Sequence, residues 1–347
     1  MRVVLVTQYD CDIVECGGAE TYLRNLATGL RKRGHEVTFA TSNAAVSELI
    51  SDGGGDIFHF HTAMAYPDVS EQSVMLVKTL AIPYCFTLHD YWPICVNRMM
   101  VMPKQGNNPH ICGDTLCESC NNQCGFYIPN PYWFQLLRFA PCICQTQSSQ
   151  DMFSRHGLMN THLITNAIDA EAFAPGEFDA DNKRVLFISA HGQMPWKGWN
   201  QWERIKPLIP EAEIVEVIGG VPYADMPEVY RNAAVFVFCS MYHETTGMAA
   251  LESMACGTPI VANAVGGLRN NVIDGETGFL VDRNDAQSAA NRVNELLSNP
   301  EKRRQMGLNA RQHILDNFKI DVMVDRQIEF YERTIRGETV YGQKVSA

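Results

Sequence analysis

The sequence has no Lys/Arg block longer than the three residues of Arg31-Lys32-Arg33, no internal repeat and no low-complexity tract. Its formal net charge is -11, with the acidic excess shared between the two halves, so nothing in it advertises a nucleic-acid surface. The opening, Met1-Arg2-Val3-Val4-Leu5-Val6-Thr7, reaches polar Gln8 and charged Asp10 after an apolar run too short for a secretory signal or a membrane span. A cytosolic protein without a transmembrane segment is therefore expected. Twelve cysteines would suggest disulfides in a small secreted chain, but in the cytosol thiols are expected, with clustered ones suspected of holding metal.

What is present is enough for two ordinary cores: 347 residues, 46% of them hydrophobic. In the first half, short β-branched runs alternate with turn residues and helical patterns: Val3 to Thr7, Val37 to Thr41, Ile57 to Phe60, Tyr84 to Leu88 and Cys142 to Gln145. Such alternation predicts a parallel sheet with crossover helices. A second series begins near Arg184, with Val185 to Ser189, Ile214 to Ile218, Val235 to Cys239 and Pro259 to Ala262, and predicts a second doubly wound sheet. Asn166-Ala167-Ile168-Asp169 and the loosely patterned stretch through Pro175 and Asn182 read as the connection. The expected class is α/β, with domains at 1–165 and 166–320 and a final helix over 321–337 anchored by Phe330 and Tyr331.

The strongest chemical signal is Glu244-Thr245-Thr246-Gly247-Met248-Ala249-Ala250-Leu251-Glu252, which follows the apolar strand Val235-Phe236-Val237-Phe238-Cys239. If Gly247 opens a helix, the backbone N–H groups of Gly247 and Met248 lie at its positive end, where phosphate is favoured. Glu244 and Glu252 would bracket that site, and ionised carboxylates accept strong hydrogen bonds from sugar and ribose hydroxyls. From spacing alone, a capping Glu244 and a solvated Glu252 account for the motif equally well.

Farther on come Ala255-Cys256-Gly257-Thr258-Pro259-Ile260-Val261-Ala262, Gly266-Gly267 and Asp274-Gly275-Glu276-Thr277-Gly278-Phe279-Leu280-Val281. The stretch from Val235 to Asp285 resembles the donor-binding core of the retaining family 4 glycosyltransferases, whose signature is a Glu, seven residues, then Glu; Glu244 and Glu252 fall in register. The resemblance extends over nearly the whole chain. Val3-Val4-Leu5-Val6, Gly17-Gly18-Ala19-Glu20 and Arg33-Gly34-His35-Glu36-Val37 are similar to that family's first strand, glycine loop and first helix. Asn166-Ala167-Ile168-Asp169 with Phe173 and Pro175 resembles its interdomain segment, Trp196-Lys197-Gly198 its phosphate-binding lysine, and Met306-Gly307 with Ala310-Arg311 its late helices.

The resemblance implies the GT-B arrangement, two Rossmann-like domains facing across a cleft with the last helix returning to the first. It also implies retaining transfer of a sugar from a nucleotide-sugar donor, most simply UDP- or GDP-linked, to a hydroxyl of a glycan, lipid-linked or small-molecule acceptor, without a catalytic metal. In this scheme Gly17 and Gly18 let the backbone approach the donor phosphates, as glycine permits. Lys197 meets the charge that grows on the leaving diphosphate. Glu244, with Thr246, Gly247 and Met248 beside it, holds the donor sugar, and Glu252 holds the ribose. The leaving phosphate helps deprotonate the acceptor in a front-face displacement. Outside the resemblance, Gly17-Gly18 reads rather as a simple strand-to-helix turn, and most lysines are solvated surface residues.

Two positions depart from the family pattern. Gly192 stands five residues before Lys197, where an Arg is usual, with His191 as a substitute cation, and Asn270 stands where an acid is common.

His89, in Thr87-Leu88-His89-Asp90-Tyr91-Trp92, follows an apolar strand and so projects at the carboxyl edge of the first sheet, where α/β proteins bind ligands. A lone His is more often a hydrogen-bonded structural residue, but the family resemblance places this one near donor sugar and acceptor. His59 and His61 end an earlier strand and are candidates for the same cleft.

Cys95, Cys112, Cys117 and Cys120 give Cys-x16-Cys-x4-Cys-x2-Cys in an insertion over 95–124 rich in Asn, Gly and Pro. A loop this long needs a staple, and four thiolates with one Cys-x-x-Cys pair fit structural zinc, with Cys124 and His110 as spare ligands. Free thiols or disulfides are the alternatives. The segment also resembles a cysteine-bearing subgroup of the same family. Asp10-Cys11-Asp12 and Asp179-Ala180-Asp181 imitate an Asp-x-Asp metal motif at the frequency expected by chance. Two rival functions stand beside the main reading: sugar transfer to modified DNA bases, which the acidic balance opposes, and a catalytically weak nucleotide-sugar binding protein.

Overall fold

The structure, a computed structural model, describes residues 1–8, 18–61, 69–91, 93–94, 101–102, 110–111, 131–189 and 192–338. Gly17, His191, Cys95, Cys112, Cys117, Cys120 and Cys124 lie outside these residues, as do Asp10 and Asp12. The chain divides into two units, one of residues 1–98, 121–167 and 320–347, the other of 99–120 and 168–319.

The first unit is built on a six-stranded, all-parallel sheet. Its strands are β1 (Arg2–Val6), β2 (Glu36–Ala40), β3 (Ile57–His61) and β4 (Tyr84–Thr87), followed after the short antiparallel pair β5 (Val101–Met102) and β6 (His110–Ile111) by β7 (Cys142–Cys144) and β8 (Thr161–Leu163). The order β2-β1-β3-β4-β7-β8 reverses direction between β1 and β3. Every residue of β3 is buried, as expected of a parallel strand covered on both faces. The helix Gly18–Lys32 buries Tyr22, Leu23, Leu26, Ala27 and Leu30, an apolar stripe at helical spacing, and ends in Arg31 and Lys32, where cations offset the macrodipole. The helix Ile320–Ile335 packs against it: Val324 fills the space over Gly29, Tyr22 Oη donates to Gln327 Oε1 at 3.2 Å, and Arg33 pairs with Asp325 at 2.7 Å. A Cβ on Gly29 would collide with the Val324 side chain, so these two helices touch because position 29 is glycine.

The second unit repeats the topology with five parallel strands, β9 (Arg184–Ile188), β10 (Glu213–Val217), β11 (Val235–Phe238), β12 (Ile260–Asn263) and β13 (Gly278–Val281), in the order β10-β9-β11-β12-β13. Its sheet separates two apolar clusters. Phe236, Leu251, Met254 and Ile260 lie in one, and Phe187, Trp202, Val237 and Leu296 in the other. The indole of Trp202 stacks on Phe187 at 5.1 Å between centroids and donates to Glu216 at 2.7 Å, so a large ring is buried with its polar atom satisfied.

Both sheets are therefore doubly wound, with reversals at β1/β3 and β9/β11. In such sheets ligands bind outside the carboxyl ends of the strands at the reversal. Among the described residues, no helix is long and apolar enough to cross a membrane.

Candidate functional site

In the second unit, the loops that leave β9 and β11 bring the sequence candidates together at the reversal. After β9, a short 3₁₀ turn Pro195–Lys197 ends at Gly198, whose φ of 88° is left-handed. Gly198 lies against Cys239 just past β11, and a Cβ there would strike the Cys239 carbonyl oxygen. Met241 N–H donates to Trp196 O at 2.8 Å and fastens the two loops to each other. Beneath them Asn263 donates to Ser240 O at 3.0 Å and to Gln201 Oε1 at 2.8 Å, while Gln201 returns a bond to Asn263 Oδ1 at 3.1 Å.

Lys197 Nζ then reaches Tyr242 Oη at 2.7 Å and Glu244 Oε1 at 3.3 Å. Tyr242 Oη in turn donates to Glu244 Oε2 at 2.6 Å. Glu244 is 6% exposed, so its charge is held by partners rather than by bulk water. Its backbone is fixed as well, because Gly267 N–H donates to Glu244 O at 2.7 Å and Gly266, at φ 45°, sits against the Glu244 main chain. Burial disfavours the Lys197 ammonium, but the charge of Glu244 and the bonds to Tyr242 and Glu244 outweigh it and hold the lysine above its ordinary range. Burial and the same carboxylate push the Tyr242 phenol up.

Glu244 caps no helix. The helix Met248–Ala255 starts from Gly247, whose φ of 80° sets the chain turning and which has no side chain to cap with. The first turn of this helix thus begins directly beneath the loop that holds Glu244. Thr246 is buried, and its carbonyl accepts from Asn271 Nδ2 at 2.7 Å. Glu252 is not a solvated helix residue either: it is 7% exposed, and Tyr230 Oη donates to its Oε2 at 2.8 Å. Burial raises its carboxyl to about 7, against the lowering effect of hydrogen bonds from Tyr230 and Tyr223. Tyr242 and Tyr230 were not singled out in the sequence. Tyr242 had a signal, two residues before Glu244 in the strand-end loop; Tyr230, twenty-two residues before Glu252, had none. Asn270 is exposed in the short helix Leu268–Asn271.

In the first unit, Gly18 opens its helix, His61 is the last residue of β3, and His89 stands past the end of β4. Gln145 Nε2 lies 3.1 Å from His89 Nδ1, and His89 Nε2 lies 3.0 Å from His61 Nδ1. With the amide donating, His89 carries its proton on Nε2 and passes a donor to His61, whose own proton is then on Nε2. That His61 Nε2 is buried and has no partner among the described residues. His59 stacks beside it at 3.8 Å between centroids and is bound to Tyr331 Oη at 2.6 Å and Thr87 Oγ1 at 2.7 Å. Burial keeps the rings neutral, lowering His89 to about 3 and His59 and His61 well below their usual value.

Among the described residues no cluster of His, Cys, Asp and Glu could hold a metal ion. Asp179 and Asp181 are exposed in the connection before β9. Cys85, Cys142, Cys144, Cys239 and Cys256 are free and buried.

Residues 183–313 match the family model described as glycosyl transferases group 1. A D-inositol 3-phosphate glycosyltransferase of Thermomonospora curvata is 35% identical over 158 residues, which are 45% of this chain and 36% of that protein. An alpha-maltose-1-phosphate synthase of Mycolicibacterium smegmatis is 34% identical over 119 residues, 33% of this chain and 30% of that one. The chain thus spans about a third of the length of these curated relatives. Among solved structures, sucrose-phosphate synthase from Thermosynechococcus elongatus aligns with a TM-score of 0.71 at 18% identity, covering 96% of this chain and 99% of that one. Anabaena HepE, in a complex with UDP and glucose, aligns at 0.70 and 18% identity over 96% and 99% of the two chains. The fold is GT-B: two α/β domains of Rossmann type, each on a parallel sheet.

Proposed function

We propose that this chain is a retaining glycosyltransferase that moves a sugar from a UDP- or GDP-linked donor to a hydroxyl of a glycan, lipid-linked or small-molecule acceptor in the cytosol. The observation that carries the reading is the Lys197–Tyr242–Glu244 cluster, set with buried Glu252 at the β9/β11 reversal of the segment that matches the group 1 glycosyltransferases. UDP and glucose in the HepE complex support a nucleotide-sugar donor.

In this mechanism Lys197 meets the diphosphate, Glu244 accepts hydrogen bonds from the donor sugar, and Glu252 accepts from the ribose. The helix start at Gly247 and Met248, with Thr246 beside it, favours the phosphate charge. As the bond from the sugar's anomeric carbon to phosphate oxygen breaks, negative charge grows on that oxygen beside the lysine. The acceptor hydroxyl attacks the same face, and its proton passes to the leaving phosphate, so configuration is kept and no metal step is required. His89, neutral and held by Gln145, orients the sugar or acceptor as a hydrogen-bonding group rather than as a cation.

The Cys95, Cys112, Cys117 and Cys120 insertion is proposed to be closed by one structural zinc, a reading supported by the spacing of the thiolates alone. Buried free thiols at the five described cysteines suit a reducing compartment.

A thermal-shift panel of nucleotide sugars tests the donor claim, because a ligand that binds only the folded state stabilises it. The stabilising donor is then incubated with candidate acceptors, and the product's anomeric configuration is read by NMR. Stabilisation by none of the panel, or an inverted product, would overturn the reading; tight binding with neither transfer nor donor hydrolysis would make the chain a binding protein.

A further inference from the structure

A cavity of about 270 Å³ lies in the second unit, remote from Lys197 and Glu244. Its wall includes Ala234 and Pro259, the residues just before β11 and β12, so it opens at the amino edge of the sheet, whereas the Lys197–Glu244 cluster lies past the carboxyl edge. The cavity has no part in the proposed transfer.

Its electrostatics run against those of the chain. A protein with a net charge of -11 places four guanidinium groups, Arg231, Arg303, Arg304 and Arg311, around one concavity. The facing carboxylates are Glu177 and Asp179, and Asp179 already accepts from Asp181 N–H at 2.9 Å. Arg231 is paired with Glu228 at 3.3 Å. Among the described residues Arg303 and Arg311 form no ion pair, although the charges of Asp179 and Asp181 act on Arg303. Arg303, 2% exposed, donates to Asp179 O at 2.8 Å, Ala180 O at 2.9 Å and Leu296 O at 3.4 Å. Arg311 donates to Phe173 O at 3.0 Å and Ala255 O at 2.9 Å. Carbonyls fix the direction of a guanidinium without cancelling its charge, so two rigid cations stand in a partly desolvated wall. A concave, low-dielectric wall focuses such a field toward an anion.

Arg304 completes the arrangement. It is exposed, makes no hydrogen bond or ion pair among the described residues, and lies with its guanidinium carbon 5.8 Å from the ring centroid of Phe178, which is 44% exposed. Arg303 faces the same ring at 5.4 Å. Arg304 is thus a fork free to engage a ligand, beside an aromatic surface that is open to solvent.

We propose that this cavity binds a phosphorylated small molecule, with its phosphate met by Arg304 and Arg311, the buried Arg303 adding its charge from within the wall, and its body laid against Phe178. Planar guanidinium forks match phosphate oxygens in pairs. The volume, at the small end of ligand pockets, suits a compact metabolite. Because the pocket and the Lys197 cluster occupy opposite edges of one sheet, such a ligand binds without competing for the donor.

Inorganic pyrophosphate, titrated by calorimetry at fixed ionic strength, tests the site. Arg304→Glu should weaken binding at the cavity by about tenfold or more, since it removes a charge-assisted contact and adds a repulsive one. Phe178→Ala should weaken it less. Lys197→Ala, which disables only the proposed donor site, should leave the cavity's binding in place. The thermal shift by a nucleotide sugar should persist in Arg304→Glu. Pyrophosphate binding that is abolished by Lys197→Ala, that is untouched by Arg304→Glu, or that is absent altogether would overturn the assignment.

Discussion

Tyr242 donates to Glu244 Oε2 at 2.6 Å, and the same phenol oxygen accepts from Lys197 Nζ at 2.7 Å. The tyrosine is thus the link that holds a buried carboxylate and a lysine in one geometry. Tyr242→Phe keeps the ring and removes both bonds, leaving Glu244 short of a donor. A buried group that loses a hydrogen bond pays about 1–3 kcal/mol, so affinity for the stabilising nucleotide sugar should fall roughly tenfold or more. Calorimetric titration of the variant checks this; an affinity equal to that of the parent would remove the bridge from the argument.

The two glutamates should separate kinetically. If Glu252 holds ribose and Glu244 the donor sugar, Glu252→Ala mainly weakens donor binding, whereas Glu244→Ala also slows turnover. A hydrogen bond to a charged group contributes about 1.5–3 kcal/mol, so each effect should be at least about tenfold. Steady-state kinetics of both variants decide it, and unchanged constants in both would contradict the site.

Glu252 also predicts a pH dependence of known sign. Its carboxyl is raised by burial to about 7, against an ordinary value of 4.5, so the folded chain keeps a proton that the unfolded chain gives up. Stability contributed by this group is therefore full below about pH 4.5, declines as pH rises to about 7 and is flat above, by about 3 kcal/mol in all. Neutral, buried His59, His61 and His89 act in the opposite direction, because unfolded imidazoles take up protons as pH falls below about 6.5. Urea unfolding of Glu252→Gln beside the parent isolates the glutamate. The parent should lose stability relative to the variant between about pH 5 and pH 7.5, and parallel curves would refute the shift. A ribose that donates to ionised Glu252 should bind more tightly as pH rises through the same window.

The cysteine insertion makes a prediction about composition. Protein purified without chelator should carry one zinc per chain by metal analysis, and replacing Cys117 or Cys120 with Ser should release it. Free thiols throughout, or disulfides in protein kept reduced, would leave the insertion without a metal.

The sequence alone determined the α/β class, the doubly wound sheets and the Glu-x7-Glu register, because each rests on local information. Buried parallel strands read as continuous apolar runs such as Val235-Phe236-Val237-Phe238, and glycines at the turns mark where the chain must reverse. Spacing could not tell whether Glu252 faces solvent, because that depends on Tyr230 packing over it from another helix. The bridge from Lys197 through Tyr242 to Glu244 was equally invisible, since it joins loops 45 residues apart that meet only when β9 and β11 pair. The histidine relay needs β3, β4 and β7 side by side before His61, His89 and Gln145 can touch. The arginine-lined cavity was hidden for the same reason: Arg231 is far in sequence from the helix Pro300–Asn317 that carries Arg303, Arg304 and Arg311, and only the folded second unit gathers their charges at one edge of its sheet. Hydrophobic periodicity is written residue by residue, whereas the desolvation and pairing of a charge depend on neighbours that the fold alone supplies.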